Sequence, residues 1–455
     1  MNVPTLQQGR VRLAEVLAGP RYPDHPYVLS GSTHGQVYAM AAWLVEHFRT
    51  SGGERQLVCL AAEDRSIIAA AVLASLAGGP ILLLPYGFSE RILAGIHGST
   101  GYRSAIVDRD LPWPPGVETV HPQPQANQPL VADPAPTADR VLLHLYTGGS
   151  TGVPQFWSKT AGNLLFETMH LVDFLVVTPE DRIVATVSPY HIYGLLYSVL
   201  LPLLASAAVS PLTPSYPAEI VEAVAAEQAT ILVSVPAHYD ALHGRTCATS
   251  WLRLATSSAG MLSEESNRDF RQRNWLELIE IYGSTETGGI ASRNRFRAEE
   301  YFRLFPAVEA TRVGERLAVR SPFTSPEAPR DGDGFFLCGD RAVFPEPGLL
   351  APQGRADHIA KVGGKRVNLE EVRTAVRHQA GVRDAVVLTV PIGGGREQQV
   401  VAVAQGRCTP ESIRAGLAGL LEPYAMPRII RCVNTIPVTV NGKYDREAIL
   451  ALVKP

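Results

Sequence analysis

Several features that mark common protein classes are missing from this chain of 455 residues. Its five cysteines are far apart and form neither a disulfide framework nor a metal-site spacing (Cys59, Cys247, Cys338, Cys408 and Cys432). With 41 basic and 44 acidic residues, the net charge is only −3, and no basic patch typical of nucleic-acid-binding proteins stands out. We therefore expect no nucleic-acid partner, and the cysteine usage favours a reducing, cytoplasmic setting.

Long uninterrupted apolar runs are also missing. Glutamines and arginines precede any apolar segment at the amino terminus, so no secretory signal is expected. Residues Ile67 to Leu84 carry no charge, but Gly78-Gly79-Pro80 divides them into an alanine-rich helical part and a short strand. Pro202 interrupts Leu195 to Ala208 in a similar way. Both segments are predicted to lie in the core, and no membrane span is expected.

The two commonest phosphate-binding fingerprints, Gly-x-x-x-x-Gly-Lys-Ser/Thr and Gly-x-Gly-x-x-Gly, do not occur. A different glycine- and hydroxyl-rich segment, Tyr146 to Pro154, follows the strand-like run Val141 to Leu145. Glycine lets the backbone approach an anion closely, and successive N–H groups can converge on phosphoryl oxygens together with the Ser150 and Thr151 hydroxyls. The segment predicts a loop that binds a nucleotide phosphate.

An alternative for the same segment is a hydrolase. Gly148-x-Ser150-x-Gly152 matches the strand-turn-helix elbow that presents a serine nucleophile. Pro154 disfavours this reading, since it would fall in the first turns of the helix that must follow Ser150. The hydrolase hypothesis predicts ester cleavage that needs no ATP and is abolished by Ser150→Ala.

Three further clusters follow along the chain. Ile281 to Gly289 comes after a strand-like run and contains Glu286, a carboxylate suited to holding Mg²⁺ together with substrate phosphates. Gly354 to Val367 follows the proline- and glycine-rich stretch Pro345 to Pro352, which is typical of a domain boundary. Thr435 to Arg446 contains Asn441-Gly442, a two-residue turn signal that would place Lys443 at or beside a hairpin tip.

Strand-like and helix-like segments alternate along most of the chain, which predicts an α/β fold with largely parallel sheets. Strands are expected at Gln56 to Ala61, Ile81 to Leu84, Ile183 to Val187 and Thr230 to Val235, and helices at Gln36 to Phe48 and Ala218 to Gln228. The chain exceeds the size at which a single core keeps growing. We predict a large domain over residues 1–354 and a small α+β domain over residues 355–455. Pro112 to Pro136 is expected to be a surface connector.

In order and spacing, the four clusters resemble the adenylate-forming superfamily of acyl- and aryl-CoA synthetases, peptide-synthetase adenylation domains and luciferases. The resemblance covers almost the whole chain. It implies stacked, mostly parallel sheets with flanking helices, and a mobile small domain. It also implies a reaction in which a carboxylate attacks the α-phosphate of ATP, pyrophosphate leaves, and a thiol takes the acyl group from acyl-AMP. That thiol belongs either to coenzyme A or to the phosphopantetheine arm of a carrier protein, and a homodimer is the assembly suggested by the relatives.

The resemblance also gives roles to residues. Glu286 would carry Mg²⁺, Tyr282 would stack on adenine, and Asp340 would accept the ribose hydroxyls with Arg355 as its ribose or phosphate partner. The predicted ATP site consists of Thr147, Gly148, Gly149, Ser150, Thr151, Gly152, Lys159, Tyr282, Gly283, Ser284, Thr285, Asp340 and Arg355. Lys443 would bridge the attacking carboxylate and the α-phosphate. The small domain would turn about Asp357, bringing Gly363 and Gly364 to a narrow thiol tunnel.

One departure concerns phosphate binding. Most relatives have a lysine after the loop proline, where this chain has Gln155, and a neutral amide cannot offset phosphate charge. Lys159 is the predicted substitute. An alternative follows: an impaired adenylate-forming scaffold that acts as a binding module. Lys443, Glu286 and Asp340 are all retained, which favours the enzyme.

The predicted acyl pocket centres on Ser188 to Gly194, which resembles the family's histidine segment, with His191 near the reacting carboxyl group. Its members are Tyr190, His191, Tyr193, Ser258, Ala259, Gly260, Gly288 and Gly289. No acidic residue lies between Thr186 and Leu195 to hold a substrate ammonium. We therefore expect a small carboxylic acid without an α-amine, and the aromatic side chains favour an aryl acid such as a hydroxybenzoate.

Overall fold

The computed structural model describes residues 13–49, 54–124, 129–131, 137–147, 155–247, 249–355, 359–392, 398–437 and 445–453. Packing divides these residues into a large unit, which ends at Pro352, and a small unit, which comprises Gln155, Gly339–Arg341 and the described residues from Gln353 onward. The domain boundary predicted after residue 354 stays a prediction, because a division by packing does not show which parts fold independently. An α/β fold with a large amino-terminal part and a smaller carboxy-terminal part is confirmed.

The first sheet of the large unit has six strands in the order β4-β3-β1-β2-β5-β6. They are β1 (Leu57–Ala61), β2 (Ile81–Leu84), β3 (Ser104–Val107), β4 (Glu118–Val120), β5 (Val141–Thr147) and β6 (Gln155–Thr160). The pairs β1–β2, β1–β3, β2–β5 and β3–β4 are parallel. Strand β4 lies within Pro112 to Pro136, so the prediction of a plain connector there was wrong for those three residues.

Among the described residues, the helices that accompany this sheet include α1 (His34–His47), α2 (Arg65–Leu76) and α3 (Glu90–Thr100). Helix α1 begins with a capping box in which Thr33 and Gln36 satisfy each other's backbone N–H groups. Asp64 caps α2 by accepting a hydrogen bond from the Ser66 amide at 2.8 Å. Helix α2 is buried on all sides, as expected for a helix without a polar face. Its small alanine side chains let neighbouring elements pack closely against it.

The second sheet has eleven strands in the order β14-β15-β16-β17-β13-β12-β11-β10-β9-β7-β8. They are β7 (Arg182–Ala185), β8 (Ala208–Val209), β9 (Ile231–Ser234), β10 (Leu254–Ser257), β11 (Glu277–Ser284), β12 (Gly288–Asn294), β13 (Phe302–Leu304), β14 (Glu309–Val313), β15 (Arg316–Arg320), β16 (Phe336–Val343) and β17 (Leu349–Arg355). Strands β7 to β11 pair in parallel, whereas β11–β12, β12–β13 and β13–β17 are antiparallel. The sheet is therefore mixed, and the pairing of its strands changes from parallel to antiparallel at the Glu286 loop, which joins β11 to β12.

The helices associated with the second sheet are α4 (Ala161–Phe174), α5 (Ile192–Leu195), α6 (Leu201–Ala205), α7 (Pro217–Ala226), α8 (Pro236–Ala241) and α9 (Glu264–Asn274). A π-helical turn, Leu196–Leu200, joins α5 to α6 without a break, and Pro202, which lacks a backbone N–H, lies just after this turn. The apolar segment around Pro202 is buried, as predicted. One extensive apolar core contains residues of both sheets.

The small unit contains a hairpin of β18 (Ile359–Val362) and β19 (Lys365–Asn368) and a separate three-stranded sheet of β20 (Val382–Pro391), β21 (Gln398–Gly406) and β22 (Ile429–Val433). Its helices are α10 (Leu369–Arg377), α11 (Pro410–Leu417) and α12 (Arg446–Val453). Helix α10 opens with Glu370 and Glu371 and is capped by Asn368, both favourable at a helix amino terminus. Throughout the described ranges, no helix is both long and apolar enough to cross a bilayer.

Candidate functional site

The predicted site residues of the large unit gather where parallel strands end. The segment with His191 follows β7, Thr256 and Ser257 end β10, and Tyr282 to Ser284 end β11. In open α/β sheets, ligands bind beyond the carboxyl ends of the strands, where loops from neighbouring strands converge. The edge formed by the carboxyl ends of β7, β9, β10 and β11 is therefore the candidate ligand-binding site of this unit.

Glu286 lies at the tip of the connection from β11 to β12. Ser284 pairs with Gly288 across this antiparallel turn, and the Ser284 and Thr287 hydroxyls are 3.0 Å apart. The Glu286 carbonyl accepts a hydrogen bond from the Ser325 amide at 2.8 Å. Its side chain is 6 % exposed. The backbone therefore holds this carboxylate in a defined place.

A single carboxylate in that position fits the predicted cation. Mg²⁺ is commonly bound by one or two carboxylates together with substrate phosphates, and keeps several waters. Across the described ranges, no group of three or more histidine, cysteine, aspartate or glutamate side chains is arranged to hold a metal ion. Glu286 suits a cation that arrives with ATP. The Mg²⁺ role of Glu286 stays a prediction.

Lys159, the predicted substitute for the loop lysine, is a core residue. It lies on β6, is 1 % exposed, and its Nζ donates a hydrogen bond to the Phe323 carbonyl at 3.2 Å. Burial lowers the pKa of Lys159, and the nearby Glu167, Glu286 and Glu327 carboxylates partly oppose this effect. Direct contact with a phosphate would require the ammonium to leave this environment, so the geometry favours a different role for Lys159.

Glu167 is a buried carboxylate that sequence reasoning missed. It lies on α4, is 4 % exposed, and its Oε1 accepts a hydrogen bond from the Gly289 amide at 2.6 Å. Burial raises the pKa of Glu167, while the Lys159 ammonium and the Gly289 N–H oppose the rise. A glutamate on an otherwise apolar helix face was the available signal, but its partner is 122 residues away in the sequence.

Gly288 and Gly289 have a packing reason for being small. A Cβ on Gly288 would collide with Glu167 Oε2 and with Phe323 Cβ, and one on Gly289 would lie 2.8 Å from the Phe305 ring. Gly288 also has φ +67°, a left-handed conformation that glycine adopts most easily. The space beside both glycines is therefore filled by protein. Their assignment to the acyl pocket stays a prediction, with this packing as a second explanation.

The segment with His191 is anchored by its two tyrosines. The Tyr190 hydroxyl accepts from the Ala62 amide and donates to the Ala62 carbonyl, both at 2.8 Å. The Tyr193 hydroxyl is 2.7 Å from Thr256 Oγ1. Both rings are buried. His191 lies between the two tyrosines in the chain and is the residue that precedes the short helix α5. The tyrosines thus fix the position from which the half-buried His191 is presented.

The turn Ser258 to Gly260 follows β10 and lies beside the start of α8. The Ser258 hydroxyl donates to the Ile281 carbonyl at 2.9 Å, which ties the turn to β11. Ala259 has φ +66°, and the Cβ position of Gly260 is 3.4 Å from the Pro236 ring. The turn thus lies next to Pro236, the first residue of α8. Its membership of the acyl pocket stays a prediction.

A row of hydroxyl groups crosses three parallel strands at this edge, and the sequence alone did not reveal it. Ser234 and Ser257 are register partners on β9 and β10, and Thr186 Oγ1, just after β7, is 2.8 Å from Ser234 Oγ. His238 Nδ1 is 2.8 Å from Thr186 Oγ1. Burial lowers the pKa of His238, which favours the neutral imidazole at neutral pH. Ser257 is 2 % exposed, and its hydroxyl has no hydrogen-bond partner among the described residues.

The predicted nucleotide-binding residues lie on several elements. Tyr282 is half-buried on β11, with its ring tilted against Phe302 at 5.7 Å. Asp340 is half-buried on β16, and Arg355 ends β17, with its side chain outside the described part. Thr147 ends β5. Adenine stacking and ribose binding stay predictions. The remaining predicted residues Gly148, Gly149, Ser150, Thr151 and Gly152 of the phosphate loop, the hinge Asp357 and the lysine Lys443 lie outside the described residues.

Gly363 and Gly364 form the tip of the β18–β19 hairpin. Val362 pairs with Lys365, so the two glycines are the whole turn, with φ +53° and +76°. Two successive positive φ values are typical of a type I′ turn, which matches the twist of a two-stranded hairpin. The turn explains both glycines without a ligand. Their role in a thiol tunnel stays a prediction.

Comparisons with known proteins identify relatives over the whole length of the chain. Residues 19–322 match the family model described as AMP-binding enzyme. A sulfoacetate–CoA ligase of Cupriavidus necator is 25 % identical, with 99 % of each chain aligned. A 3-hydroxybenzoate–CoA ligase of an Aromatoleum species is also 25 % identical, with 98 % of each chain aligned. The structure of o-succinylbenzoate CoA synthetase from Bacillus subtilis superposes with a TM-score of 0.78 at 17 % identity, covering 96 % of this chain and 98 % of the other, which is a likeness of fold.

Proposed function

Because this chain belongs to the AMP-binding enzyme family, we propose that it is an AMP-forming acid–thiol ligase that acts on a small aryl acid and coenzyme A. The first step joins a carboxylate oxygen of the acid to the α-phosphorus of ATP and releases pyrophosphate. In the second step the thiol sulfur attacks the acyl carbon and AMP leaves. The family match over residues 19–322, together with a buried Glu286 loop where parallel strands end, is the observation that carries this proposal.

The chain's own residues divide this work. The backbone and hydroxyls of Thr147 to Gly152 hold the β- and γ-phosphates, so that pyrophosphate departs in line. Glu286 holds the Mg²⁺ that accompanies ATP, a cation whose chemistry is to offset charge on the phosphate oxygens. Lys443 brings an ammonium to the attacking carboxylate and the α-phosphate, where negative charge grows in the transition state.

The acid substrate is a carboxylic acid without an α-amine. No acidic side chain occurs from Thr186 to Leu195 that would hold a substrate ammonium. A hydroxybenzoate is supported by one relative named as a 3-hydroxybenzoate–CoA ligase, and by the row of hydroxyls near His238, which could bind a ring hydroxyl. The Ser257 hydroxyl of this row has no hydrogen-bond partner among the described residues, and a buried hydroxyl without a partner is costly, so the row favours a substrate with a polar group of its own.

ATP–pyrophosphate exchange over a panel of acids tests the proposal. We expect exchange with benzoate-like acids, and mass spectrometry should detect the corresponding acyl-AMP. Coenzyme A and a phosphopantetheine-loaded carrier protein are then offered as acceptors in separate reactions. ATP binding without exchange for any acid would instead support the impaired scaffold, for which Gln155 is the supporting observation. ATP-independent ester cleavage would support the hydrolase.

A further inference from the structure

A fully buried lysine, Lys159, has three glutamates, Glu167, Glu286 and Glu327, among its electrostatic neighbours. Lys159 is 1 % exposed, while Glu167 and Glu286 are 4 % and 6 % exposed. The Glu327 carboxylate accepts a hydrogen bond from the Ser158 amide, next to Lys159 in the chain, at 2.5 Å. The carboxylates near the ammonium therefore come from α4, from the β11–β12 connection and from the segment after β15, and of the three only Glu327 is exposed.

Charges buried in this way are interdependent. A single ionised group in an apolar interior is very costly, and the cost is reduced by opposite charges and by hydrogen bonds. Here the Phe323 carbonyl accepts from Lys159 Nζ, and the Gly289 amide donates to Glu167. Removing only the ammonium would take a positive charge away from the buried carboxylates of Glu167 and Glu286. They would then repel one another or take up protons.

The same hydrogen bonds hold the Glu286 loop from two sides. On one side, Glu167 binds the Gly289 amide, three residues after Glu286. On the other side, the Ser325 amide binds the Glu286 carbonyl, and Lys159 binds the Phe323 carbonyl in the same short segment. Lys159 thus contacts the segment that supports Glu286 and also lies near the glutamate that fixes the end of the loop.

We propose that Lys159 and Glu167 are a buried positioning pair that sets where the Glu286 carboxylate stands, and that Lys159 does not contact the phosphates of ATP. The pair acts through the loop rather than on the reacting atoms. This inference rests on the proposed function, because the consequence of placing Glu286 correctly is efficient use of Mg²⁺ with ATP. It also means that Lys159 does not replace the ammonium missing at Gln155.

The experiment compares Lys159→Met, Glu167→Gln and the double variant with the unmodified protein. The first readout is amide hydrogen exchange of residues 284–289 in protein without ligands, which needs no activity. We expect exchange there to be about tenfold faster in Lys159→Met, since the loop loses its support. The double variant should recover part of this loss, because it also removes one of the carboxylates left unpaired.

The second readout is the Mg²⁺ concentration that gives half-maximal ATP–pyrophosphate exchange. We expect it to rise several-fold in Lys159→Met, with a smaller change in the Michaelis constant for the acid. Asp181→Asn is the matched control, because Asp181 is a buried carboxylate of the same unit, paired with Arg253 at 2.6 Å. This control should lower thermal stability without changing either readout.

The outcomes separate this inference from the proposed function. Unchanged exchange at residues 284–289 together with an unchanged Mg²⁺ requirement in Lys159→Met would overturn the positioning role. A large rise in the Michaelis constant for ATP, with exchange and Mg²⁺ requirement as in the unmodified protein, would identify Lys159 as a phosphate ligand and also overturn it. If the unmodified protein activates no acid at all, the proposed function fails, and hydrogen exchange still decides whether the pair supports the loop.

Discussion

The Glu167 carboxylate and the Gly289 amide are joined by a 2.6 Å hydrogen bond, although 122 residues separate them in the chain. Helix α4 is thereby connected to the first residues of β12. Because β12 begins immediately after the Glu286 loop, the end of that loop is fixed by a side chain from outside the second sheet. The Gly288 backbone runs so close to this carboxylate that no side chain fits between them.

Gly288→Ala should therefore be strongly destabilising. The new methyl group would collide with Glu167 Oε2 and Phe323 Cβ, and φ at this position is +67°. Left-handed backbone costs alanine about 1 kcal/mol, and overpacking adds about 1–3 kcal/mol. We expect a loss of about 2–4 kcal/mol in the free energy of unfolding, measured by urea denaturation, with a loss of ATP–pyrophosphate exchange.

Gly314→Ala is the control for that substitution. Gly314 has a similar φ of +61°, but nothing lies within 4 Å of its Cβ position. This variant should lose only about 1 kcal/mol, the cost of the backbone conformation, and keep its activity. Equal losses in the two variants would show that backbone conformation alone, and not contact with Glu167, makes glycine necessary at position 288.

His170 is expected to make the protein less stable in mild acid. It is 7 % exposed, packs against the Phe305 ring at a centroid distance of 4.5 Å, and its Nε2 has no hydrogen-bond partner among the described residues. Burial lowers its pKa to about 4, with Asp173 opposing the shift. The unfolded chain then binds the proton more tightly, so the stability contributed above pH 6.5 is lost as the pH falls toward 4.

His170→Phe should remove this contribution. Linkage gives the unmodified protein a loss of about 2 kcal/mol at this one residue between pH 7 and pH 5. Urea denaturation at the two pH values should therefore show a smaller decrease for His170→Phe than for the unmodified protein. His121→Asn changes an exposed histidine and serves as the control. A decrease as large in His170→Phe as in the unmodified protein would contradict the assignment.

The sequence predicted individual elements well where apolar runs are bounded by strong turn signals. The strand expected at Ile81 to Leu84 is β2 without any shift, because Gly78-Gly79-Pro80 fixes where the preceding helix must end. The helix expected at Gln36 to Phe48 is α1, displaced by two residues at its start and one at its end. Turn residues and short apolar runs are local signals, so the bounds of these elements can be predicted from the sequence nearby.

Strand partners were harder to predict. Strand β12 is buried throughout and β11 is buried in its central residues, and nothing in either sequence indicates that β11 continues the parallel half of the sheet while β12 reverses it. The row from Thr186 through Ser234 to Ser257 joins residues 48 and 23 positions apart, each an ordinary serine or threonine in sequence. Such clusters can be predicted only when strand order and register are known.

The burial of Lys159 could not be predicted for the same reason. Lysine is almost always exposed unless it is paired, so a phosphate-binding role was a reasonable expectation after a phosphate loop. Its neighbouring carboxylates come from Glu167 in the next helix and from Glu286 and Glu327, more than a hundred residues further along. The packing of α4 against the start of β12 brings Glu167 to the Glu286 loop, and a hydrogen bond to the Ser158 amide brings Glu327 to β6.

Lys443→Ala should separate the two half-reactions. Loss of an ammonium that offsets growing charge typically costs on the order of 10²- to 10³-fold in rate. We expect acyl-AMP formation to fall by about that factor, while thioester formation from synthetic acyl-AMP falls much less. Single-turnover assays of each step give the two rates. Gln155→Lys is the companion variant and should raise the adenylation rate; comparable losses in both steps of Lys443→Ala would contradict its role in adenylation alone.

His238 is the residue through which we expect the site to distinguish hydroxylated from plain aryl acids. Its imidazole is hydrogen-bonded to Thr186, which in turn contacts Ser234, so the ring and the hydroxyls form one polar row. A substrate hydroxyl that bonds to this row would contribute about 0.5–1.5 kcal/mol, or roughly 2- to 10-fold in kcat/KM.

His238→Phe should lose that factor for hydroxybenzoates and leave benzoate nearly unchanged. Thr186→Val, which removes the hydroxyl that orients the imidazole, should give a smaller loss in the same direction. An equal change for benzoate and hydroxybenzoate would mean that the row supports the strands and does not contact the acid.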